Sequence, residues 1–364
     1  MDLTATTAEL AGAVAEVARL LPTRVLDPVL AGVRLRASAT GVEVAGSDHE
    51  HAVSLTKPAS AHTEGEVLVP AKALAATLQA LDEPQVRLRV EGSRLAVRTG
   101  QARFALPLLD LHDHPGIPAL PPLQGTAAAE HLRVIAAVAG AASKDDALPI
   151  FTGIRVQSDA EHLHVMATDR YRMAYAKLPW QSAGSVDVLV PAKALAEATR
   201  QAEGPVALHA DADRIGLAWH HNSLSTALLA APFPDDRARR LLETTIDSTV
   251  LVDADALSRA VRRATPYGGP HQAVTIQVED SELRVKSSDP TSGEAEEFVK
   301  ATVEGDRLTK TFQARYLADA LKAFAGRRIE LRIQDGLRST VLTSPPGEDG
   351  VELTYLVVPM RSVA

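Results

Sequence analysis

Val67-Leu68-Val69-Pro70-Ala71-Lys72-Ala73-Leu74-Ala75 and Val188-Leu189-Val190-Pro191-Ala192-Lys193-Ala194-Leu195-Ala196 are the same nonapeptide, VLVPAKALA, at an offset of 121. A weaker third copy, Thr311-Phe312-Gln313-Ala314-Arg315-Tyr316-Leu317, follows the second at an offset of 122. Other landmarks keep the same period. Gly32 (LAGVRL) aligns with Gly153 (FTGIRV), Ser47-Asp48 with Thr168-Asp169 and Ser288-Asp289, and Leu10 with Leu132 and Leu257. A solenoid unit is roughly 20 to 50 residues, so a period of this size is a domain repeated three times. It divides the 364 residues into 1–122, 123–246 and 247–364. The Pro-rich stretch 114–125 marks the first junction, and the period alone sets the second, near 243–248.

Each period reads as two helices over antiparallel strands, an α+β architecture. Leu10, Val14, Val17 and Leu21 recur at helical spacing. Residues 29–37, 41–45, 86–90 and 95–97 read as strands, as do 206–209, 215–219 and 329–333. Pro70 and Pro191 fit a first helical turn, where a missing N–H costs nothing. Leu74, Leu78 and Leu81 supply that helix's apolar face.

Composition excludes several classes. Hydrophobic residues make up 46% and charged residues 23%, an ordinary globular profile. No cysteine is present, which removes disulfides, thiolate metal sites and cysteine nucleophiles. No apolar run approaches the roughly 20 residues that span a bilayer, and residues 1–10 lack a basic secretory n-region, so a cytoplasmic protein with no membrane partner is expected. There is no phosphate-binding lysine loop, no GxGxxG, no GxSxG and no HExxH. Asp110-Leu111-His112-Asp113-His114 has no ligand partner at helical spacing and reads as polar linker. His220-His221 and Asp48-His49-Glu50-His51 read as exposed loop or strand. Asp48, Asp169 and Asp289 recur once per period, which fits a turn aspartate accepting backbone N–H groups. No cofactor, metal site or catalytic residue is expected.

The cations repeat as well. Lys72, Lys193 and Arg315 hold one equivalent position, in the first turn of a helix. A cation there opposes the helix dipole by roughly some tenths of a kcal/mol. Its threefold recurrence points to a shared anionic partner, and Arg200 and Lys322 lie further along the same helices. The net charge of −8 argues against tight, affinity-driven DNA binding. Weak phosphate contacts without base readout are compatible with it, and permit sliding.

The three periods, the segment Ala167-Thr168-Asp169-Arg170-Tyr171-Arg172-Met173-Ala174, Phe233-Pro234-Asp235 and the ending Tyr355-Leu356-Val357-Val358-Pro359-Met360-Arg361 together resemble the bacterial DNA sliding clamp, the beta subunit of DNA polymerase III, with an actinobacterial form of the ATDRYR segment. The resemblance covers the whole chain. It implies three clamp domains, a homodimer closing into a six-domain ring around duplex DNA, and a non-catalytic processivity factor in the cytoplasm, at the nucleoid. DNA-facing positions would be Arg24, Lys72, Lys193, Arg200, Arg315 and Lys322.

The resemblance also implies a pocket for short motifs of the replicative polymerase, the clamp loader and repair proteins. The matching positions are Phe151, Thr168, Arg170, Tyr171, Met173, Pro234 and Leu241, then Gln313, Tyr316, Thr340, Leu356, Val357, Val358, Pro359, Met360 and Arg361. Arg103, Phe104, Tyr267, Glu294 and Glu297 would belong to the dimer interface, with Arg103 pairing to the acidic run of the opposing subunit. The chain departs from the family pattern at Asp236, where an aromatic is usual, in the longer stretch 237–242, and at 265–269. An alternative role follows from that altered pocket rim: a duplicated variant clamp conferring self-resistance to a clamp-targeting antibiotic. A second alternative, from another class, is a three-domain metal-dependent hydrolase, against which the missing motifs count.

Overall fold

The computed structural model describes residues 1–22, 27–145, 147–242, 246–345 and 349–361. Arg24 and residues 243–245 of the second expected junction lie outside the described residues.

Every period opens with a strand that runs into a helix. Asp2–Thr6 leads to Thr7–Leu20, Leu123–Ala128 to the short helices Ala129–Leu132 and Val134–Ala139, and Ser248–Asp253 to Ala254–Ala264. The first helix carries the stripe read from sequence: Leu10, Val14, Val17 and Leu21 are all buried. A second helix follows the VLVPAKALA motif or its third copy: Ala71–Gln79, Ala192–Gln201 and Ala314–Lys322. In each period the two helices pack together.

Two local expectations shift by a residue or more. Pro70 and Pro191 are not inside the helices. Each is the last residue of a strand, Gly65–Pro70 and Asp187–Pro191, and the helix begins one residue later. The ladder claims them: Pro70 lies opposite Gly32 and Pro191 opposite Gly153. Val29, expected in a strand, lies in a 3-10 turn, Pro28–Ala31, where the Asp27 carboxylate accepts its N–H at 3.0 Å and Pro28 sets the first φ. The strand itself is Gly32–Ser38. In the linker, His114 is buried, and its Nδ1 accepts the Gly116 N–H at 3.1 Å. Burial, then the charges of Arg34 and His49, push its pKa below the ordinary value.

Packing groups the chain into two compact units, one of Met1–Gln124 with Ala202–Leu228, the other of Gly125–Gln201 with Leu229–Ala364. The first unit has a five-stranded sheet in the order Ala59–Thr63, Asp2–Thr6, Gln85–Glu91, Arg94–Arg98, Arg103–Pro107. It also has a run of strands ordered Pro205–Ala210, Arg214–Trp219, Asn222–Ala227, His51–Lys57, Gly41–Ser47, Gly32–Ser38, Gly65–Pro70. Among the described residues, the second unit's largest sheet has 12 strands. At its centre Arg172–Pro179, Glu352–Val357, Thr340–Thr343 and Arg328–Ile333 lie side by side.

In each unit one pairing joins two periods. Asn222–Ala227 of the middle period pairs antiparallel with His51–Lys57 of the first (Leu224 opposite Val53). Glu352–Val357 of the third pairs antiparallel with Arg172–Pro179 of the middle (Leu356 opposite Met173). The equivalent strands at the two ends lack this partner. Arg103–Pro107 ends its sheet. Among the described residues, 293–300 of the strand Gly293–Gly305 pairs only with Glu282–Asp289.

The repeated glycines are explained by close approach. A Cβ on Gly32 would lie 2.9 Å from the Leu68 side chain, and one on Gly153 2.8 Å from Leu189, the equivalent leucine. Replacing Gly153 by Val should therefore lower stability by about 1–3 kcal/mol through overpacking. A thermal melt of the purified variant should show the decrease.

Candidate functional site

The hairpin between His162–Thr168 and Arg172–Pro179 is the centre of the site. Asp169 builds its turn. Its carboxylate accepts the N–H groups of Tyr171 and Arg172, both at 3.0 Å. The Thr168 hydroxyl donates to the Arg172 carbonyl at 2.7 Å and accepts the Arg170 N–H at 3.2 Å. Arg170 is thereby held at φ 78, a left-handed conformation unusual for a residue with a Cβ. Asp48 and Asp289 make the same paired bonds, to Glu50 and His51 and to Thr291 and Ser292. His49, the equivalent of Arg170, has φ 74. The three recurring aspartates are thus turn-forming, as their spacing suggested.

The strand ladder sorts the site residues onto two faces. Thr168, Met173, Leu356 and Val341 lie directly opposite one another across four strands, forming one row. With Met166 and Ala238 the apolar members of this row make a buried cluster, and Tyr175, Phe233, Leu242 and Val358 pack against it. The next row, Arg172, Val357 and Thr340, points to the opposite face because strand side chains alternate. Thr340 and Val357 therefore do not share the apolar site with Met173 and Leu356. The Thr340 hydroxyl is buried without a hydrogen-bond partner among the described residues.

Leu241 also falls away from the site. It is 44% exposed, while Ala238 and Leu242, four apart on the helix Asp235–Leu242, turn inward. The helical period in this stretch selects those two positions. Pro234 precedes the helix and its carbonyl accepts the Ala238 N–H at 3.0 Å.

Arg172 dominates the other face. It is buried, bonded to Asp169 at 3.0 Å and ion-paired with Asp319 on the helix Ala314–Lys322. Burial disfavours its charge, but Tyr355, Asp319 and Asp169 around it raise its pKa above the ordinary arginine value. Burial pushes the Tyr355 phenol above its ordinary value. Arg172 also lies 4.9 Å from the centre of the Tyr316 ring. Tyr316 stacks on Tyr171 at 5.7 Å and 13°. Arg170 completes an aromatic cluster, 5.6 Å from Phe151 and 5.8 Å from Tyr171. Arg172 and Asp319 were not singled out from sequence. The ATDRYR segment contains the arginine, but its partner is 147 residues away.

The tail is tied on both sides. The Val358 N–H donates to Tyr171 at 2.9 Å and the Met360 N–H to Thr311 at 2.8 Å. Pro359 is buried between them, while Arg361 is exposed. Gln313 ends the strand that Met360 meets.

The repeated cations Lys72, Lys193 and Arg315 are exposed on the first turns of their helices. They are not chemically equivalent. Arg315 lies over Tyr316 at 4.5 Å and donates to its hydroxyl at 2.7 Å. Arg200 is paired with Glu197, and Lys322 is exposed. Lys193 and Lys322 line one cleft of about 820 Å³ with Lys144 and Asp319.

At the unpaired strand ends, Phe104 is 41% and Phe298 53% exposed. Arg103 is bonded to Glu91 at 2.6 Å in its own chain, and Glu297 to Arg263 at 2.6 and 2.7 Å. Tyr267 and Glu294, with Arg263 and Glu297, border a groove of about 530 Å³.

This architecture, strand–helix periods joined by a shared ladder, has relatives. Three family models cover the chain: DNA polymerase III beta subunit N-terminal domain over residues 1–118, central domain over 127–235, and C-terminal domain over 239–361. The chain belongs to the DNA polymerase III beta subunit family. It is a three-domain DNA sliding clamp, a non-catalytic processivity factor of the polymerase. The beta sliding clamp of Streptomyces coelicolor is 29% identical, with 97% of each chain covered. The beta sliding clamp homolog GriR of Streptomyces muensis is 28% identical over 97% of each chain. The Pseudomonas aeruginosa clamp, solved bound to griselimycin, aligns over 100% of both chains with TM-score 0.85 and 26% identity. Among the described residues, no group of three His, Asp or Glu is placed to hold a metal ion, and no helix is long and apolar enough to cross a membrane.

Asp169 has the heaviest local duty, accepting two backbone N–H groups and facing the buried Arg172. Asp169→Ala should cost about 2–4 kcal/mol, since it leaves a buried arginine with one carboxylate partner and opens the turn. Denaturant unfolding compared with Asp169→Asn, which retains one acceptor oxygen, checks the magnitude.

Proposed function

We propose that two copies of this clamp close head to tail into a ring on duplex DNA, and that partners dock at the hairpin of the middle domain. The pattern of strand pairing supports the ring most directly. Two period boundaries are bridged by an antiparallel ladder, and the two strands equivalent to those bridges, Arg103–Pro107 and 293–300, are left without that neighbour. A second copy supplies each with its missing partner, and head-to-tail contacts that close make a ring. Phe104 suits the groove beside Tyr267, where the exposed aromatics on both strands lose water together. Arg103 and Glu297 already have partners in their own chain, so an ion pair across the interface competes with those. Phe104→Asp should shift the protein from dimer to monomer by about 1,000-fold or more in dissociation constant, roughly 4 kcal/mol. Analytical ultracentrifugation reads the change, and an unaltered dimer would place the interface elsewhere.

The DNA contact is electrostatic and sequence-independent. Lys72, Lys193 and Lys322 provide mobile charges for phosphates. Arg200 and Arg315 contribute after leaving Glu197 and Tyr316. Arg24 carries the same role by resemblance. Topological linkage, rather than affinity, then keeps the clamp on DNA, which reconciles the role with a net charge of −8. On this reading the clamp works in the cytoplasm, with the chromosome. Lys72→Glu combined with Lys193→Glu should reduce clamp-dependent DNA synthesis while the dimer persists.

Short linear motifs of the replicative polymerase, clamp loader and repair proteins would use the aromatic cluster of Phe151, Arg170, Tyr171 and Tyr316, and the apolar site of Met173, Leu356 and Val358. Pro234, Gln313, Pro359, Met360 and Arg361 border these. Large apolar side chains are the natural anchors for such walls. Met360→Ala should weaken a Gln-Leu-x-Leu-Phe peptide by about 5- to 50-fold in a fluorescence anisotropy titration. A second reading, a variant clamp tolerant of a pocket-directed antibiotic, is favoured by one observation: the apolar site is covered by the divergent helix Asp235–Leu242.

A further inference from the structure

The five-stranded sheet of the first unit has two unlike faces. Leu3, Val86, Leu88, Leu95 and Val97 point one way and are buried under the helices Thr7–Leu20 and Ala71–Gln79. Alternation sends the arginines of the same strands to the other side. Arg87, Arg98 and Arg103 lie directly opposite one another across three adjacent strands and form one row. Arg89 and Arg94 stand on the same face, further along their strands. Like charges placed opposite one another in a sheet are destabilising, so the row calls for anions. Lys72 stands on the helix side, so these arginines make a second cationic surface, apart from the repeated helix cations.

The strands supply two acids, Asp2 and Glu91, against these five arginines. Asp2 accepts from Arg87 at 2.7 and 2.8 Å and lies 3.8 Å from Arg89. Glu91 divides its two oxygens between Arg98 and Arg103. Arg94 is exposed, with no ion pair or side-chain hydrogen bond among the described residues. The other four arginine side chains are each between 43% and 55% exposed, so their guanidinium groups stay open to a ligand. This cationic excess stands in a chain of net charge −8, so the rest of the molecule is more acidic still.

We propose that this sheet face holds the phosphodiester backbone of DNA, as a second contact distinct from the helix cations. The inference goes beyond the ring, whose DNA contact rests on Lys72 and its equivalents. The remaining positions of the face, Thr4, Thr6, Gln85, Ala96 and Ala105, are small or polar. A protein partner needs a large apolar anchor at the centre of its contact, and this face offers none. The exposed Phe104 lies opposite Val97 and shares its side of the sheet. Phosphates ask only for accessible cations and carry no base readout. All five cations are arginines, whose planar fork matches a phosphate better than an ammonium does. Asp2 and Glu91 hold three of the guanidinium groups in place before a ligand arrives. Pairing at the Arg103–Pro107 edge uses main-chain groups and leaves the face open. Such a contact gives the clamp a weak, salt-sensitive hold on DNA that does not require threading.

The test uses the full-length protein carrying Lys72→Glu and Lys193→Glu, which weakens the helix surface. Its probes are a fluorescein-labelled duplex of about 20 base pairs and an oligothymidylate of about 20 nucleotides, titrated by anisotropy at several salt concentrations. Adding Arg89→Gln and Arg94→Gln should weaken binding about fivefold or more at low salt. It should also flatten the slope of log affinity against log salt by about 1.8 on the duplex or about 1.4 on the single strand, the counterion release of two phosphate contacts. These two arginines are chosen because Arg87, Arg98 and Arg103 then keep their bonds to Asp2 and Glu91. Arg89→Lys with Arg94→Lys should bind within about twofold of the starting protein, which separates lost charge from lost fold. A loss on either probe supports the proposal, and the probe with the larger loss identifies the form of DNA held. Unchanged affinity and slope on both probes would overturn it. So would a poly-glutamate peptide that binds as tightly through the same two arginines, since the face would then serve an acidic protein.

Discussion

Main-chain hydrogen bonding between successive periods is the constraint on which the rest of the molecule depends. A strand edge left bare is a template for pairing. In this chain the middle period's Asn222–Ala227 covers the edge of His51–Lys57, and the third period's Glu352–Val357 covers the edge of Arg172–Pro179. Each bridge turns neighbouring periods into one continuous ladder. The compact units therefore do not follow the sequence periods: residues Ala202–Leu228 pack with the first period. The same logic gives meaning to the two ends that lack a bridge, and it ties the chain's architecture to self-association without any further motif.

The second of these bridges also builds the candidate site. Pairing Leu356 opposite Met173 and Val341 fixes one apolar row, and the alternation of side chains sends Arg172, Val357 and Thr340 to the far side. Arg172 there joins the turn aspartate Asp169 to Asp319 on a helix of the third period. A buried guanidinium is costly unless its donors are satisfied, so this triad depends on both carboxylates being in place. The helix Ala314–Lys322 consequently carries Tyr316 toward the aromatic cluster and Lys322 toward the lysine-lined cleft. One short helix links the aromatic cluster with the lysine-lined cleft.

The segment after Phe233-Pro234-Asp235 acquires a physical role in this setting. Lengthening a helix by even one residue rotates its faces by about 100°. Here Leu241 is exposed, while Ala238 and Leu242 turn onto the Met173 and Leu356 row. Residues at the rim thus complete the packing of the row's buried residues.

The sequence by itself determined the threefold period, the α+β plan and the turn aspartates, because these rest on local signals: a repeated nonapeptide, apolar spacing in Thr7–Leu20, and a carboxylate two and three residues before the N–H groups it accepts. It also carried the family, since the ATDRYR segment and the Pro-Met-Arg ending are contiguous. Only the tertiary structure decided which residues meet. The Pro70 and Pro191 shift, the separation of Thr340 and Val357 from Met173, the inward turn of Ala238 and the pairing of Arg172 with Asp319 all depend on register between distant strands. Register is set by packing between segments far apart in the chain, from Gly32 and Pro70 to Arg172 and Asp319, and no local pattern encodes it.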